Sequence, residues 1–172
     1  RGVSAIVVLG GDGTHRAVAA KCGAIPLATL STGTNNVFPD LREATVTGLA
    51  AGLVALGRVP REVALRRNKL IRVTSSGGAP EEIALVDVCV SNLTHIGARA
   101  LWQPETLSEL VVAFAEPDAI GLSSIAGLLR PVSRDAGHGL YLRLAPPRSA
   151  GLLATLVAPI APGLVAEVGV AA

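Results

Sequence analysis

Asp12 stands among glycines in the stretch VVLGGDGTHR, residues 7–16, where an apolar run gives way to a Gly-Gly-Asp-Gly-Thr turn. Gly10, Gly11 and Gly13 remove side chains where a strand turns into a helix. Backbone N–H groups can then approach a phosphate closely, and a helix N-terminus favours the anion. A carboxylate beside phosphate is tolerable if it holds Mg2+ or takes a proton from an attacking hydroxyl. Phosphoryl transfer to an alcohol needs both jobs done, so Asp12 is a candidate catalytic group, as a base or as a metal-oriented acid. The plainer alternative is that Asp12 caps a helix opening at Thr14. The turn is not a P-loop, because no Gly-Lys-Ser/Thr follows. Nor is it a dinucleotide fingerprint, because Arg16 stands where the third glycine belongs.

A second loop, STGTNNVFP at residues 31–39, follows the next short strand. In an open α/β sheet, ligands bind at the carboxyl ends of strands, so both loops would reach one crevice. Thr32 and Thr34 offer hydroxyls to phosphate or sugar, with Gly33 between them. Asn35 and Asn36 offer amides to a base or ribose.

The elements that must carry these loops can be read from periodicity. Val3–Leu9 is apolar without alternation, the pattern of a parallel strand buried on both faces. THRAVAAKCG then reads as a helix from Thr14 that stops at Gly23. Pro26–Leu30 is a second strand. In Glu43–Leu56, Val46, Leu49, Ala50, Leu53 and Val54 fall at the spacing of one inward helix face, ended by Gly57 and Pro60. Strand, helix, strand, helix makes an α/β layer.

After Pro60 come short β-rich runs: REVALRR, KLIRVTSS, EIALVDVCVS, ELVVAFAE, GLYLRLA and LLATLVAP. Turn signals separate them. GLYLRLA alternates, with Leu140, Leu142 and Leu144 on one face and Tyr141 and Arg143 on the other. The expected organisation is a partial Rossmann-like α/β nucleotide-binding domain over 1–60, then a β-rich, β-sandwich-like substrate-binding domain over 61–172.

Composition narrows the function classes. Half of the 172 residues are hydrophobic, 16% are charged and 2% are aromatic, so the core must be built from Ala, Val, Leu and Ile. A net charge of +2 without a basic stripe argues against a nucleic-acid partner. The most apolar tail, GLLATLVAPIAPGLVA, is broken by Pro159 and Pro162, so no membrane span is expected. VSAIVVLG is too short for a signal peptide and lacks a basic leader. Cys22 and Cys89 read as reduced, buried thiols of a cytoplasmic protein, and no metal-ligating residues are assigned. The chain has no Met, which suggests the ordered part of something longer.

His15, in the first helical turn, could reach a phosphate but reads rather as a surface histidine, and His95 and His138 have no partner nearby. Ser123 and Ser124 in GLSSIAG do not satisfy G-x-S-x-G; a helix start is expected there, with a possible substrate contact. Asp87, an acid in an alternating strand, needs a partner or a ligand. Arg99 and Arg130 are phosphate candidates by residue type alone. Arg66 and Arg67 read as solvated.

GGDGT, followed after a Pro-led strand by STGTNNVFP, resembles the superfamily of NAD kinases, diacylglycerol kinases and sphingosine kinases. Together with EATVTGLAAG and IGARALW (residues 96–102), it most resembles the ATP-NAD kinase-like branch labelled acetoin catabolism protein X. The resemblance covers nearly the whole chain. It implies phosphorylation of the adenosine ribose 2′-hydroxyl of NAD(H) to NADP(H) by ATP, with Mg2+. It gives Asp12 the activation of that hydroxyl and gives Gly10, Gly11, Gly13 and Thr14 the phosphates. It implies homo-oligomers. APIAPGLVAEV resembles a late Pro-Ile-x-Pro-His-x-Leu segment, with Gly163 in place of His. EIALVDVCVS resembles a strand whose Asn-Glu pair grips ribose. Here Val86 and Asp87 stand in that place, so Asp87 alone is left to contact the acceptor. EPDAIGLSSIAG replaces a hydroxyl-rich substrate loop and keeps only Pro117. The family's region before GGDGT and its Asp-Gly segment beyond residue 172 are not in this sequence. Two alternatives stay open: a lipid or sphingoid kinase, and a non-catalytic nucleotide-binding regulator linked to acetoin catabolism.

Overall fold

The computed structural model describes residues 2–33, 35–94, 101 and 103–172. Thr34, Arg99 and most of IGARALW lie outside the described residues. The chain forms two compact units, residues 1–68 and 69–172. No helix among the described residues is long and apolar enough to cross a membrane.

In the first unit, β1 (Ile6–Gly10) pairs in parallel with β2 (Leu27–Ser31), in register from Ile6 with Leu27 to Gly10 with Ser31. The β-branched run Ile6–Val8 suits a strand, and Gly10 ends it. Helix α1 spans Asp12–Ala19 and begins two residues earlier than Thr14, with Gly11 as its N-cap residue. Asp12 is therefore the first helical residue. Its negative charge suits the positive end of the helix dipole.

Helix α2 (Ala44–Ala55) is capped by Glu43, whose two oxygens accept from the N–H groups of Thr45 at 3.0 Å and Val46 at 2.8 Å. It closes with Gly57 at φ 65°, a left-handed position that glycine adopts without strain. The expected inward face is corrected here. Val46, Leu49 and Leu53 are 62%, 65% and 45% exposed, and the helix turns Thr47 and Ala51 inward together with Val54, the one member of the expected face that is half-buried. Both stripes are free of charge, so apolar periodicity alone could not choose between them. The smaller stripe lets the helix lie close to β2.

REVALRR, expected as a β-rich run, instead holds a single helical turn, α3 (Arg61–Ala64). The second unit opens with an antiparallel pair, β3 (Ile71–Val73) and β4 (Glu82–Ala84). EIALVDVCVS is not one strand. It breaks at Leu85 and Val86, both buried, and resumes as β5 (Asp87–Ser91) in a different sheet. That sheet also holds β6 (Leu107–Val112), β7 (Leu140–Ala145), β8 (Leu152–Ala161) and β9 (Leu164–Ala171). Its order is β5-β6-β7-β9-β8 and every pairing is antiparallel.

The alternation read in GLYLRLA is present. Leu142 and Leu144 are buried and Tyr141 and Arg143 are exposed. Helix α4 (Ser123–Leu129) packs on this buried face, where Leu110, Val112, Ile125, Ala126, Ala158, Val168 and Val170 make a core with no aromatic side chain. Gly127 seats α4 there, because a Cβ at that position would stand 2.4 Å from the Glu116 carbonyl oxygen. The architecture is mixed α/β, with several sheets and few helices.

Candidate functional site

The parallel register sets Gly10 beside Ser31, so the two glycine-bearing loops leave the sheet side by side. The Thr32 N–H donates to the Gly10 carbonyl at 3.4 Å. From there the loops interlock. The Asp12 N–H donates to Asn36 Oδ1 at 3.3 Å, and Asn36 Nδ2 donates to Ser31 Oγ at 2.8 Å. In return, Asp12 Oδ2 accepts from the Val37 N–H and Oδ1 from the Phe38 N–H, both at 3.0 Å. The Asn36 amide thus holds the backbone of Asp12, and the Asp12 carboxylate holds the backbone just after Asn36.

The glycines make room for this lock. A Cβ on Gly11 would meet Asn36 Oδ1 at 2.9 Å, and one on Gly33 would meet Asn36 Nδ2 at 2.7 Å. The Asn36 amide fills the space between them. A Cβ on Gly10 would stand 2.6 Å from the Thr14 Cβ. These three glycines are therefore needed for close packing between protein groups, in addition to any ligand they admit. A Cβ at Gly13 would meet nothing, and Gly13 and Thr14 are exposed. Their N–H groups lie in the first turn of α1, where no carbonyl of the helix is available to them.

Each carboxylate oxygen has two lone-pair directions, so two backbone bonds leave Asp12 one free direction per oxygen. Asp12 can serve the loop and a ligand hydroxyl together. It is the only carboxylate in 10–14 and 31–38. Among the described residues, no group of three His, Cys, Asp or Glu is placed to hold a metal ion.

His15 is not on the surface. It is fully buried, with Nδ1 2.8 Å from the Gly11 carbonyl and its ring 6.1 Å from that of Phe38. The sequence singled out His15 but placed it on the surface, and sequence reasoning missed Ser31, Val37 and Phe38 as anchors of the lock. One signal was available. Phe38 is one of two phenylalanines in the chain, and it follows a polar loop directly.

The remaining candidates divide between the units. Thr32, Gly33, Asn35 and Asn36 lie with Asp12 on the loops of the first. Asn35 Oδ1 is buried without a partner among the described residues. Asp87, half-buried, opens β5 opposite Val112 in the second unit. Ser123 and Ser124 begin α4 and are fully buried; Ser124 Oγ donates to the Pro159 carbonyl at 3.4 Å. A ligand would reach these hydroxyls only if α4 moved. Arg130 follows α4 and is exposed. Cys22 and Cys89 are free and half-buried rather than buried. Burial, and then the Asp87 charge, push the Cys89 thiol up to about 11.

Comparison with known proteins follows the same division. The family model of the ATP-NAD kinase N-terminal domain matches residues 1–59, and that of the acetoin catabolism protein X C-terminal domain matches residues 69–172. The chain is 55% identical to a protein of Cupriavidus necator strain H16 named acetoin catabolism protein X, over 99% of this chain and 48% of that relative. The chain thus spans about half the length of the curated relative that it matches. No solved structure matches it.

Proposed function

Because this chain belongs to the acetoin catabolism protein X family and carries an ATP-NAD kinase N-terminal segment, we propose that it is part of a phosphotransferase that moves a phosphoryl group from ATP to the ribose 2′-hydroxyl of NAD(H). The observation that supports this most is the lock between the two loops. It leaves one carboxylate, with free lone pairs, beside exposed first-turn amides. In this reading Asp12 accepts a hydrogen bond from the acceptor hydroxyl and takes its proton. The amides of Gly13 and Thr14 hold phosphate oxygens, with the Thr14 hydroxyl beside them. Thr32 and Asn35 contact the nucleotide. Mg2+ supplied with ATP would neutralise phosphate charge, and Asp12 is the loop carboxylate that would help to hold it.

Such a reaction asks a protein for positioning and charge neutralisation more than for covalent chemistry. A rigid cradle of backbone amides with one acid suits that demand. The test is NADP(H) formation by the full-length protein supplied with ATP, Mg2+ and NAD or NADH. Product above the no-enzyme control supports the reading. A raised melting temperature with NAD or ATP but no product would favour the regulator, and phosphorylation of a lipid alcohol instead would favour the lipid kinase.

A further inference from the structure

We propose that His15 is a positioning residue that fixes the peptide from which Asp12 projects. What Asp12 then does with a substrate rests on the phosphotransferase reading above; the positioning rests on geometry alone.

The Gly11 carbonyl and the Asp12 N–H belong to one planar peptide unit, so holding both ends fixes its plane. His15 holds the carbonyl end twice, through its backbone N–H at 3.1 Å and its Nδ1 at 2.8 Å. Asn36 Oδ1 holds the N–H end at 3.3 Å. The circuit closes through Phe38. Its ring packs against the imidazole at 53°, and its backbone N–H donates to Asp12 Oδ1 at 3.0 Å. Peptide plane, imidazole, phenyl ring and carboxylate therefore constrain one another.

A carbonyl only accepts, so Nδ1 carries the hydrogen in this contact. In the neutral ring Nε2 is then a bare acceptor, and it is buried without a partner among the described residues. An orphaned buried acceptor is unfavourable. A leucine would fill this space, as a good helix former, with no such cost. Leucine cannot donate to the Gly11 carbonyl, however, and that donation is what the histidine adds.

The test compares His15→Leu with His15→Asn in the full-length protein, because the asparagine amide can place a donor where Nδ1 stands. For His15→Leu, kcat for NADP formation should fall about tenfold or more, the size of effect that misplacing a reacting group produces. KM for NAD and ATP should stay within about threefold. His15→Asn should restore most of the kcat. A readout independent of turnover is the NMR position of the Val37 and Phe38 amides, which Asp12 binds. They should move in His15→Leu and return in His15→Asn.

Wild-type kcat and unmoved amides in His15→Leu would overturn the proposal. So would an equal fall of kcat, KM and melting temperature in both variants, the mark of mere space-filling. If the leucine variant does not fold, Phe38→Leu removes the ring and keeps the N–H, and it is read the same way. If the wild type forms no NADP, the proposed reaction fails, while the amide signals still decide the role of His15.

Discussion

Asn36 occupies the space that Gly11 and Gly33 leave, and it is bonded on both sides of its amide. Asn36→Ala would leave the Asp12 N–H and the Ser31 hydroxyl without that partner. The expected cost is about 1–3 kcal/mol in urea unfolding, the range for stranding a polar group. Unchanged stability would mean that water replaces the amide freely. Gly33→Ala tests the same packing from the other side. Its Cβ would stand 2.7 Å from Asn36 Nδ2, so the loop must shift and any nucleotide-dependent rise in melting temperature should shrink. A full nucleotide response in Gly33→Ala would show that the loop has slack. Cys89 gives a separate residue-scale test. With its thiol at about 11, almost no thiolate exists at pH 8. Iodoacetamide should label it in the unfolded chain and spare it in the native one, and equal labelling in both states would contradict its burial.

Among the elements, α2 depends most visibly on a single side chain. The N–H groups of Thr45 and Val46 hold the Glu43 carboxyl below the usual carboxylate range. The folded value lies under the unfolded one. Its contribution is therefore complete above the usual range and is lost as the pH falls through the folded value. Glu43→Gln should flatten the acid limb of the stability profile, read by circular dichroism against pH; an unchanged limb would remove the cap from the account. The existence of α2 was legible from its apolar spacing, but its orientation was not, because Thr47, Ala51 and Val54 repeat as regularly as Val46, Leu49 and Leu53. The same limit hid the break in EIALVDVCVS. An apolar run records burial, and Leu85 and Val86 are buried at a corner between two sheets rather than inside one strand. The existence of strand β1 was readable because it pairs with β2 beside it in sequence and ends on glycine, but the expected burial of both faces over Val3–Leu9 is corrected. The strand is Ile6–Gly10, and Val7 and Leu9 are 43% and 61% exposed, since a two-stranded sheet covers only one of its faces here.

Across the whole molecule, the contrast between an α/β segment and a β-rich segment could be read from texture, and the family resemblance from GGDGT and STGTNNVFP. The interlock could not be read, because hydrogen bonds between residues 12 and 36–38 leave no local spacing behind. Nor could the ion pair in the second unit. Arg134, 9% exposed, bonds Glu116 with Nε at 2.9 Å and Nη2 at 3.0 Å and stacks 4.0 Å over the Phe114 ring. Arg134→Ala should destabilise that unit by about 2 kcal/mol or more, since it removes packing and leaves a partly covered carboxylate unpaired. Denaturant unfolding would read this, and a loss under about 0.5 kcal/mol, the size of an ordinary surface substitution, would count against it.

The most direct measurement compares Asp12→Asn with the wild type for NADP(H) formation in the full-length protein, with ATP, Mg2+ and NAD or NADH. Asparagine removes the charge and must turn an NH2 toward the Val37 or Phe38 N–H that its oxygen would otherwise accept. The account predicts turnover in the wild type and a loss of about a hundredfold or more in the variant, as for a missing base. An Asp12→Asn protein that turns over at the wild-type rate would contradict it.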